Sequence, residues 1–189
     1  MTVKEFKYQY ALGTLSKNDL ENITKHTTSK YILTTLSNNK DWYVRMRVAA
    51  NSNVPVEVLT KLSNDEKRLV RGWVAYNLNT PKKALTKLSK DKNTDVRYCV
   101  AANSNAPVEV LTKLSNDEDG TVRYYVAENS NTPIDILTKL SKDKDKSVRK
   151  HIANNPNTPV EVLITLSKDK DWHVRKNAKK TLLDKGIEV

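Results

Sequence analysis

The sequence predicts an all-α solenoid built from about six two-helix repeats of 26 residues. Three observations carry this prediction: a proline, a Val-Arg dipeptide and two leucines each recur at intervals of 26 residues. The prolines are Pro55, Pro81, Pro107, Pro133 and Pro159. The first leucine of each repeat is Leu33, Leu59, Leu85, Leu111, Leu137 or Leu163, and the second is Leu36, Leu62, Leu88, Leu114, Leu140 or Leu166. The register holds without a gap from residue 29 to residue 180.

Within each repeat, apolar spacing predicts a short first helix and then a second helix. In the last repeat the first helix begins at Pro159, because proline is tolerated at the first helical position. Thr158 and Glu161 match a capping box there. The predicted N-caps of the second helices are Asp41, Asn93, Asp119, Asp145 and Asp171, with Lys67 breaking the pattern. Asn51, Asn77, Asn103, Asn129 and Asn155 are predicted to end them in the left-handed conformation.

One such helical pair is too small to bury its own apolar face, so the repeats are expected to stack into a continuous core. The predicted organisation is a divergent capping segment, residues 1–28, a six-repeat solenoid and a tail, residues 185–189. The repeats are 29–54, 55–80, 81–106, 107–132, 133–158 and 159–184. In the cap, Leu12, Leu15 and Ser16 echo the first-helix pattern. The tail is expected to be frayed.

The repeated pattern, Asn-x-x-Thr-Pro, paired leucines, an acidic turn and Val-Arg-x-x-Val-Ala, resembles the leucine-rich repeat variant family. HEAT and armadillo solenoids are its wider relatives. The resemblance implies a right-handed superhelix in which one helix of each pair is short, or even 3₁₀. It implies no enzymatic activity. Some members of the family carry an N-terminal iron–sulfur module, but this chain has no cysteine cluster before residue 29, so no cofactor is expected.

Composition excludes several classes of function. The chain of 189 residues has one cysteine, Cys99, which excludes an intrachain disulfide and a cysteine-cluster metal site. Its four glycines exclude a glycine-rich phosphate loop. No apolar run approaches the roughly 18 residues that a membrane span needs, so no membrane partner is expected. The first residues, 1–19, lack the apolar core of a secretory signal, and the expected location is cytoplasmic.

The residues that every repeat shares are predicted to be scaffold. Each Val-Arg arginine has an acidic or amide residue six positions upstream, which indicates an Asp/Arg ladder that ties neighbouring repeats together. On the first helices, Glu57–Lys61, Glu109–Lys113 and Asp135–Lys139 are acid–base pairs with i,i+4 spacing, typical of a solvated outer face. Function is therefore expected at the variable positions of the second helices.

Aromatic residues concentrate at those variable positions, which hold eight of the chain's 12. We expect Tyr76, Tyr98 and Tyr124 to be exposed, whereas Trp73 and Tyr125 lie beside the core. The predicted partner-binding residues are Trp42, Arg68, Trp73, Tyr76, Tyr98, Tyr124, Tyr125, Lys150, Trp172, Lys176 and Lys180. Exposed aromatics among lysines and arginines suit either a protein interface or contacts with nucleic acid.

Two classes of partner follow, with a protein or peptide favoured over DNA or RNA. The formal net charge of +11 and the lysine-rich turns between helices suit a polyanion. Repeat 107–132, however, has five acidic and two basic residues and would meet a duplex unfavourably. An enzyme similar to HEAT-like DNA glycosylases is a minor alternative, with Asp95 and Glu128 near Tyr98 and Tyr124. No catalytic residue, metal site or small-molecule substrate is inferred.

Overall fold

A computed structural model describes residues 1–188, which form fourteen α-helices and no β-strand. The helices are α1 (Val3–Leu12), α2 (Lys17–His26), α3 (Lys30–Leu36), α4 (Trp42–Ala50), α5 (Val56–Leu62), α6 (Arg68–Tyr76), α7 (Lys82–Leu88), α8 (Thr94–Ala102), α9 (Val108–Leu114), α10 (Gly120–Glu128), α11 (Ile134–Leu140), α12 (Lys146–Asn154), α13 (Val160–Leu166) and α14 (Trp172–Asp184). The all-helical repeat fold predicted from the sequence is confirmed.

The chain divides into two compact units, Met1–Leu88 and Ser89–Val189, which we call unit 1 and unit 2. In unit 1, α4 packs between α2 and α6, and α3 packs on α1 and α4. In unit 2, α10 packs between α8 and α12, while α14 packs on α12 and α13. The boundary falls between α7 and α8, inside the repeat predicted at 81–106. The finer division into six repeats stays a prediction.

The core follows the two leucine positions and the valines of the second helices. In α9 and α10, Leu111, Leu114 and Val122 are at most 2% exposed. Burying a leucine side chain contributes about 1.5–3 kcal/mol, and every repeat supplies the same set. The sequence predicted that each helix buries one apolar stripe. The burial of these residues confirms that prediction.

The sequence left open whether the first helix of each repeat is a short α-helix or a 3₁₀-helix. The structure shows short α-helices. In α5, the Leu59 N–H donates to the Pro55 carbonyl (3.1 Å) and the Ser63 N–H donates to the Leu59 carbonyl (2.9 Å). Both bonds reach back four residues, as in an α-helix. Each of these helices spans seven residues and ends at the predicted serine. Proline occupies the N-cap position, one residue before the predicted one.

The predicted capping box at Thr158 and Glu161 is wrong. No side chain caps the N-terminus of α13. Thr158 is 1% exposed, and its hydroxyl donates to the Ile152 carbonyl at the end of α12 (2.6 Å). The threonine therefore adds a second hydrogen bond to the Ile152 carbonyl at the end of the preceding helix, where the Asn155 N–H also donates (3.2 Å). Thr132 makes the same bond to Val126.

The asparagines that end the second helices are extended, not left-handed. Asn129 has φ −67° and ψ 124°, and no residue other than glycine among those described has positive φ. Its side chain instead joins repeats: Nδ2 donates to the carbonyl oxygens of Ala101 (2.7 Å) and Asn103 (3.0 Å), and Oδ1 accepts from the Asn131 N–H (2.9 Å). The predicted structural role is correct, but its mechanism is a bond between repeats.

The Asp/Arg ladder is present within each unit. Arg123 holds Asp143, twenty residues on, through Nε (2.6 Å) and Nη2 (3.0 Å). Its Nη1 donates to the Asp117 carbonyl six residues upstream (2.8 Å). Burial alone would raise the pKa of the Asp143 carboxyl, but hydrogen bonds from Arg123 and from the Asp145 N–H hold it below its ordinary value. Arg123 thus ties its own turn to the next repeat.

Second-helix N-caps follow the prediction. Asp119 accepts from the Thr121 N–H (2.7 Å) and Asp145 from the Ser147 N–H (2.8 Å). Lys67 makes no side-chain cap bond. A carboxylate at this position satisfies a free N–H and complements the helix dipole.

The outer acid–base pairs are not formed as predicted. Lys61 and Lys139 direct their ammonium groups to the asparagines Asn38 and Asn116, at the C-terminal ends of the preceding first helices. Within residues 1–188, Glu57 makes no ion pair with Lys61. A cation is favoured at the negative end of a helix dipole, and this preference outweighs the weak exposed pair.

The two ends depart from the repeat in different ways. In the cap, Phe6 is fully buried whereas Leu12 is 59% exposed, so the predicted echo at Leu12 is wrong. Gly13, with φ 67°, ends α1 immediately after Leu12. At the other end, Lys185 to Ile187 close α14 with a Schellman motif, although the sequence predicted a frayed tail. Gly186 (φ 76°) donates to the Leu183 carbonyl, and the Ile187 N–H donates to the Leu182 carbonyl. Val189 lies outside the described residues.

Candidate binding surface

The predicted partner-binding residues all lie on second helices. In unit 1, Trp42 lies on α4, and Arg68, Trp73 and Tyr76 lie on α6. In unit 2, they are Tyr98 on α8, Tyr124 and Tyr125 on α10, Lys150 on α12, and Trp172, Lys176 and Lys180 on α14. Their role in binding stays a prediction, but the structure shows which of them come together.

Four rings from three successive helices of unit 2 form one array, which we call the tyrosine surface: Tyr98, Tyr125, Tyr124 and His151. The Tyr98 and Tyr125 rings stack with centroids 5.1 Å apart. Tyr125 meets Tyr124 edge-on at 4.9 Å, and Tyr124 contacts His151 at 4.0 Å. Such ring pairs add about 0.5–1.5 kcal/mol beyond burial. The array therefore links the second helices α8, α10 and α12 through direct ring contacts.

The rings of the tyrosine surface are half-buried, because they shield one another. We expected Tyr98 and Tyr124 to be more exposed, and the ring contacts explain the difference. Trp73, placed beside the core by the sequence, is 41% exposed. It meets Tyr76, which is 57% exposed, edge-on at 5.9 Å in unit 1.

Sequence reasoning left His151 out of the candidate residues. The signal was available, because His151 occupies in its repeat the position that Tyr125 occupies one repeat earlier. Burial lowers the pKa of His151, against the opposing charge of Glu128, so the imidazole is neutral at pH 7. Burial, reinforced by Glu128, raises the pKa of Tyr124. Glu128 is exposed and makes the border of the array acidic.

Trp42 is joined to the cap of unit 1 through its neighbour. Its ring meets Tyr43 edge-on at 5.9 Å, and the Tyr43 hydroxyl donates to Glu21 Oε1 on α2 (2.9 Å). Arg47 Nη2 lies 3.9 Å from the same carboxylate. The hydrogen bond to Glu21 raises the pKa of Tyr43. These contacts give Tyr43 a structural role.

Apart from Arg68 in unit 1, the basic candidates lie on α12 and α14 of unit 2. Lys176 lies over the Trp172 ring, 5.1 Å from its centroid, in a cation–π contact. Trp172 is 55% exposed, and Lys180 is exposed one turn further on. Lys150 is half-buried next to His151 on α12. The predicted residues thus divide into an aromatic group and a basic group.

Cys99 lies one residue after Tyr98 and is half-buried. Burial, with the nearby Asp95 charge, raises the pKa of its thiol to about 11. At pH 8 the thiolate is therefore about 100-fold scarcer than for an ordinary thiol. We expect iodoacetamide to alkylate native Cys99 at least about tenfold more slowly than the urea-unfolded chain, because the loss of thiolate exceeds the gain in its nucleophilicity. Rates within fivefold of each other would contradict this.

Other kinds of site find little support in residues 1–188. No group of three His, Cys, Asp or Glu side chains there is arranged to hold a metal ion. No helix described is long and apolar enough to cross a bilayer. A surface cleft of about 450 Å³ is lined by polar turns and by Val54, Pro55 and Val56, and a second cleft of about 260 Å³ lies at the cap. None of the predicted binding residues lines either cleft.

Comparison with known proteins places the fold. No family profile matches the sequence, and no curated protein matches it. Among solved structures, a leucine-rich repeat variant with a novel repetitive motif is 26% identical, with a TM-score of 0.69, over 93% of this chain and 71% of its own. An engineered protein is 23% identical over 90% of this chain and 98% of its own, with a TM-score of 0.53.

YibA from E. coli is 16% identical over 97% of this chain and 98% of its own, again with a TM-score of 0.53. At such low identity the engineered protein and YibA show the fold alone. The leucine-rich repeat variant agrees in fold with the resemblance that the 26-residue pattern carried. The chain is therefore a helical-repeat solenoid similar to the leucine-rich repeat variant.

Proposed function

We propose that this protein is a noncatalytic binding module that engages a protein or peptide partner through the variable surface of its second helices. The observation that carries the proposal is the tyrosine surface, a fixed array of rings across α8, α10 and α12. The Asp/Arg ladder of unit 2 runs through Arg97, Arg123 and Arg149 and not through these rings. Tyrosine supplies a large contact area at little entropic cost, which is why it is frequent at the centres of interfaces.

The charge around the tyrosine surface favours a protein over a nucleic acid. Glu128 lies close enough to Tyr124 and His151 to perturb both of their pKa values. Asp95 acts in the same way on Cys99, next to Tyr98. A phosphate backbone laid on these rings would meet both carboxylates, whereas Lys150 supplies the one cation among the candidates on these three helices. Like charges at an interface are unfavourable.

A matched pair of tyrosine variants tests the proposal. A peptide selected from a random library on the wild-type protein is labelled, and its affinity is measured by fluorescence anisotropy. Tyr124→Ala is expected to weaken binding at least about tenfold, as for an interface hot spot. The control is Tyr31→Ala, because Tyr31 is also exposed (47%) but lies on the first helix α3. Equal affinity of both variants, with unchanged melting temperatures, would contradict the proposal.

Binding of DNA or RNA is the second candidate. It is favoured by exposed lysines that recur on the turns before α12 and α14, namely Lys142, Lys144, Lys168 and Lys170. Trp172 with Lys176 offers a ring for a base beside a cation for a phosphate. This binding would depend on Lys150, Lys176 and Lys180 and would weaken steeply with salt. Binding of the peptide should depend on the tyrosines instead.

A further inference from the structure

The second helix α6 of unit 1 carries an exposed apolar row, which we call the α6 stripe: Leu69, Trp73 and Tyr76. These side chains are 43%, 41% and 57% exposed. Their spacing of four and three residues places them within about 60° of one another around the helix, over a length of about 10 Å. The Trp73 and Tyr76 rings meet edge-on with centroids 5.9 Å apart. The α6 stripe is therefore a row of apolar side chains about two helical turns long.

No other second helix of the six repeats has apolar side chains at all three of these positions. The row is interrupted by Arg47 on α4, Asp95 on α8, Glu128 on α10, Ser147 on α12 and Lys180 on α14. The other repeats fold without such a row, so the scaffold does not require it. Clustered apolar side chains at a protein surface are typical of an interaction site.

The charges around the α6 stripe are basic. Helices α4 and α6 together contain four arginines and no acidic residue. The carboxylate nearest to α6 in the sequence, Glu66, is already shared by Lys67 (3.6 Å) and Arg45 (3.8 Å). Arg68 is exposed directly before Leu69. A partner with acidic residues beside its apolar side would therefore meet opposite charge here.

Arg47, on the helix α4 that packs against α6, lacks hydrogen-bond partners. Its Nε is buried without a partner in the part of the chain that the structure describes. Its Nη2 lies 3.9 Å from Glu21 Oε1, which is too long for a hydrogen bond. The side chain is 25% exposed. A carboxylate on a partner would give this guanidinium an acceptor, and hydrogen bonds between charged groups are the stronger ones.

A helix matches the α6 stripe in length and spacing. Apolar side chains at positions i, i+4 and i+7 of a helix also form a row about 10 Å long, and amphipathic helices are often recognised through such anchors. We propose that the α6 stripe docks an amphipathic helix of a partner protein, with the apolar side of that helix on the stripe and its acidic residues toward Arg47 and Arg68.

The inference rests on the proposed function only in placing a partner on the second helices. The α6 stripe lies in unit 1 and shares no residue with the tyrosine surface, which lies in unit 2. The two surfaces can therefore be tested separately, and either test can fail while the other succeeds.

The test uses two fluorescein-labelled helical peptides of about 15 residues. Both have leucines at positions i, i+4, i+7 and i+11, and the remaining exposed positions are glutamate in one peptide and lysine in the other. Their affinities for the whole protein are measured by anisotropy at about 150 mM salt. The glutamate peptide is expected to bind at least about tenfold more tightly, because only its charges complement the arginines.

Trp73→Ala is expected to weaken binding of the glutamate peptide at least about tenfold, as for an aromatic hot spot. The matched control is Trp172→Ala, since Trp172 is also an exposed tryptophan (55%) on a second helix but lies in unit 2. This control and Tyr124→Ala should each change the affinity less than about twofold. Leu69→Glu adds a carboxylate to the stripe, so it should abolish binding of the glutamate peptide and strengthen binding of the lysine peptide.

The melting temperatures of the Trp73 and Leu69 variants should match the wild type, because both side chains are exposed. Equal weakening by Trp73→Ala and Trp172→Ala would overturn the proposal, as would equal affinity for the two peptides or failure of the glutamate peptide to bind. Cosedimentation with vesicles containing about 30% phosphatidylserine, lost in Trp73→Ala and found in place of peptide binding, would assign the stripe to a membrane instead. A dimer in sedimentation velocity that Trp73→Ala dissociates would assign it to a second copy of the chain.

Discussion

Replacing Arg123 by alanine is expected to lower the free energy of unfolding by about 3–5 kcal/mol, the usual cost of breaking a buried ion pair. The side chains of Arg123 and Asp143 are only 8% and 7% exposed. Without the guanidinium, the Asp143 carboxylate loses both of its arginine hydrogen bonds, and the Asp117 carbonyl loses its donor. The bond between two repeats of unit 2 is removed in one step.

Urea unfolding followed by circular dichroism measures this effect. The control is Lys150→Ala, which removes a cation that makes no ladder contact and should cost less than about 0.5 kcal/mol. A double-mutant cycle with Asp143→Ala should give a coupling energy of at least about 1.5 kcal/mol. Equal stability of Arg123→Ala and Lys150→Ala would show that the ladder does not hold the repeats together.

Asn129→Ala is expected to cost about 1–3 kcal/mol, since three backbone groups each lose the hydrogen bond that the Asn129 side chain makes to them. These groups are the carbonyl oxygens of Ala101 and Asn103 and the N–H of Asn131. Asn129 itself is 7% exposed. The loss falls on bonds that join α10 to the end of α8, so it should weaken the contact between repeats rather than the helix itself.

The matched control for this variant is Asn116→Ala. Asn116 lies on an exposed turn of the same repeat, and its loss should cost less than about 1 kcal/mol. Asn129→Gly distinguishes a role of Asn129 in the backbone conformation from a role in bonds between repeats. If a left-handed conformation mattered, glycine would be as stable as asparagine, whereas the bonds between repeats predict a loss as large as that of alanine.

The fold was predictable because the sequence repeats its local rules. Leu111 and Val122 recur in register with their counterparts, so helical periodicity alone identifies the buried faces. Asp119 directly precedes the first residue of a helix, so its role as an N-cap can be read from a few neighbouring residues. Arg123 and its upstream aspartate pointed to a ladder because every repeat carries the arginine with an acidic or amide residue six positions before it.

Two of the errors concern bonds that reach across repeats. The side chains of Asn129 and Lys61 find partners 23 to 28 residues away, which local turn and pairing rules do not describe. For these two residues a contact from the stacked structure replaced the local one. The error at Thr158 lies within one repeat: threonine commonly caps the start of a helix, but here its hydroxyl donates backwards to the Ile152 carbonyl.

The candidate site was predictable in composition but not in geometry. Aromatic enrichment on the second helices identified Tyr98, Tyr124 and Tyr125. Their stacking depends on the rotation between successive helices, which no single repeat encodes. His151 was not predicted as a candidate residue for the same reason, because only its ring contact with Tyr124 makes it part of the array.

The most direct test of the account compares two ligands on the wild-type protein. Labelled single- and double-stranded DNA and RNA, and the selected peptide, are titrated by anisotropy from about 50 to 300 mM salt. The account predicts that peptide binding persists at 150 mM salt and requires Tyr124, whereas nucleic acids bind only at the lowest salt. Micromolar binding of nucleic acid at 150 mM, with a steep salt dependence and loss in Lys176→Ala, would contradict it.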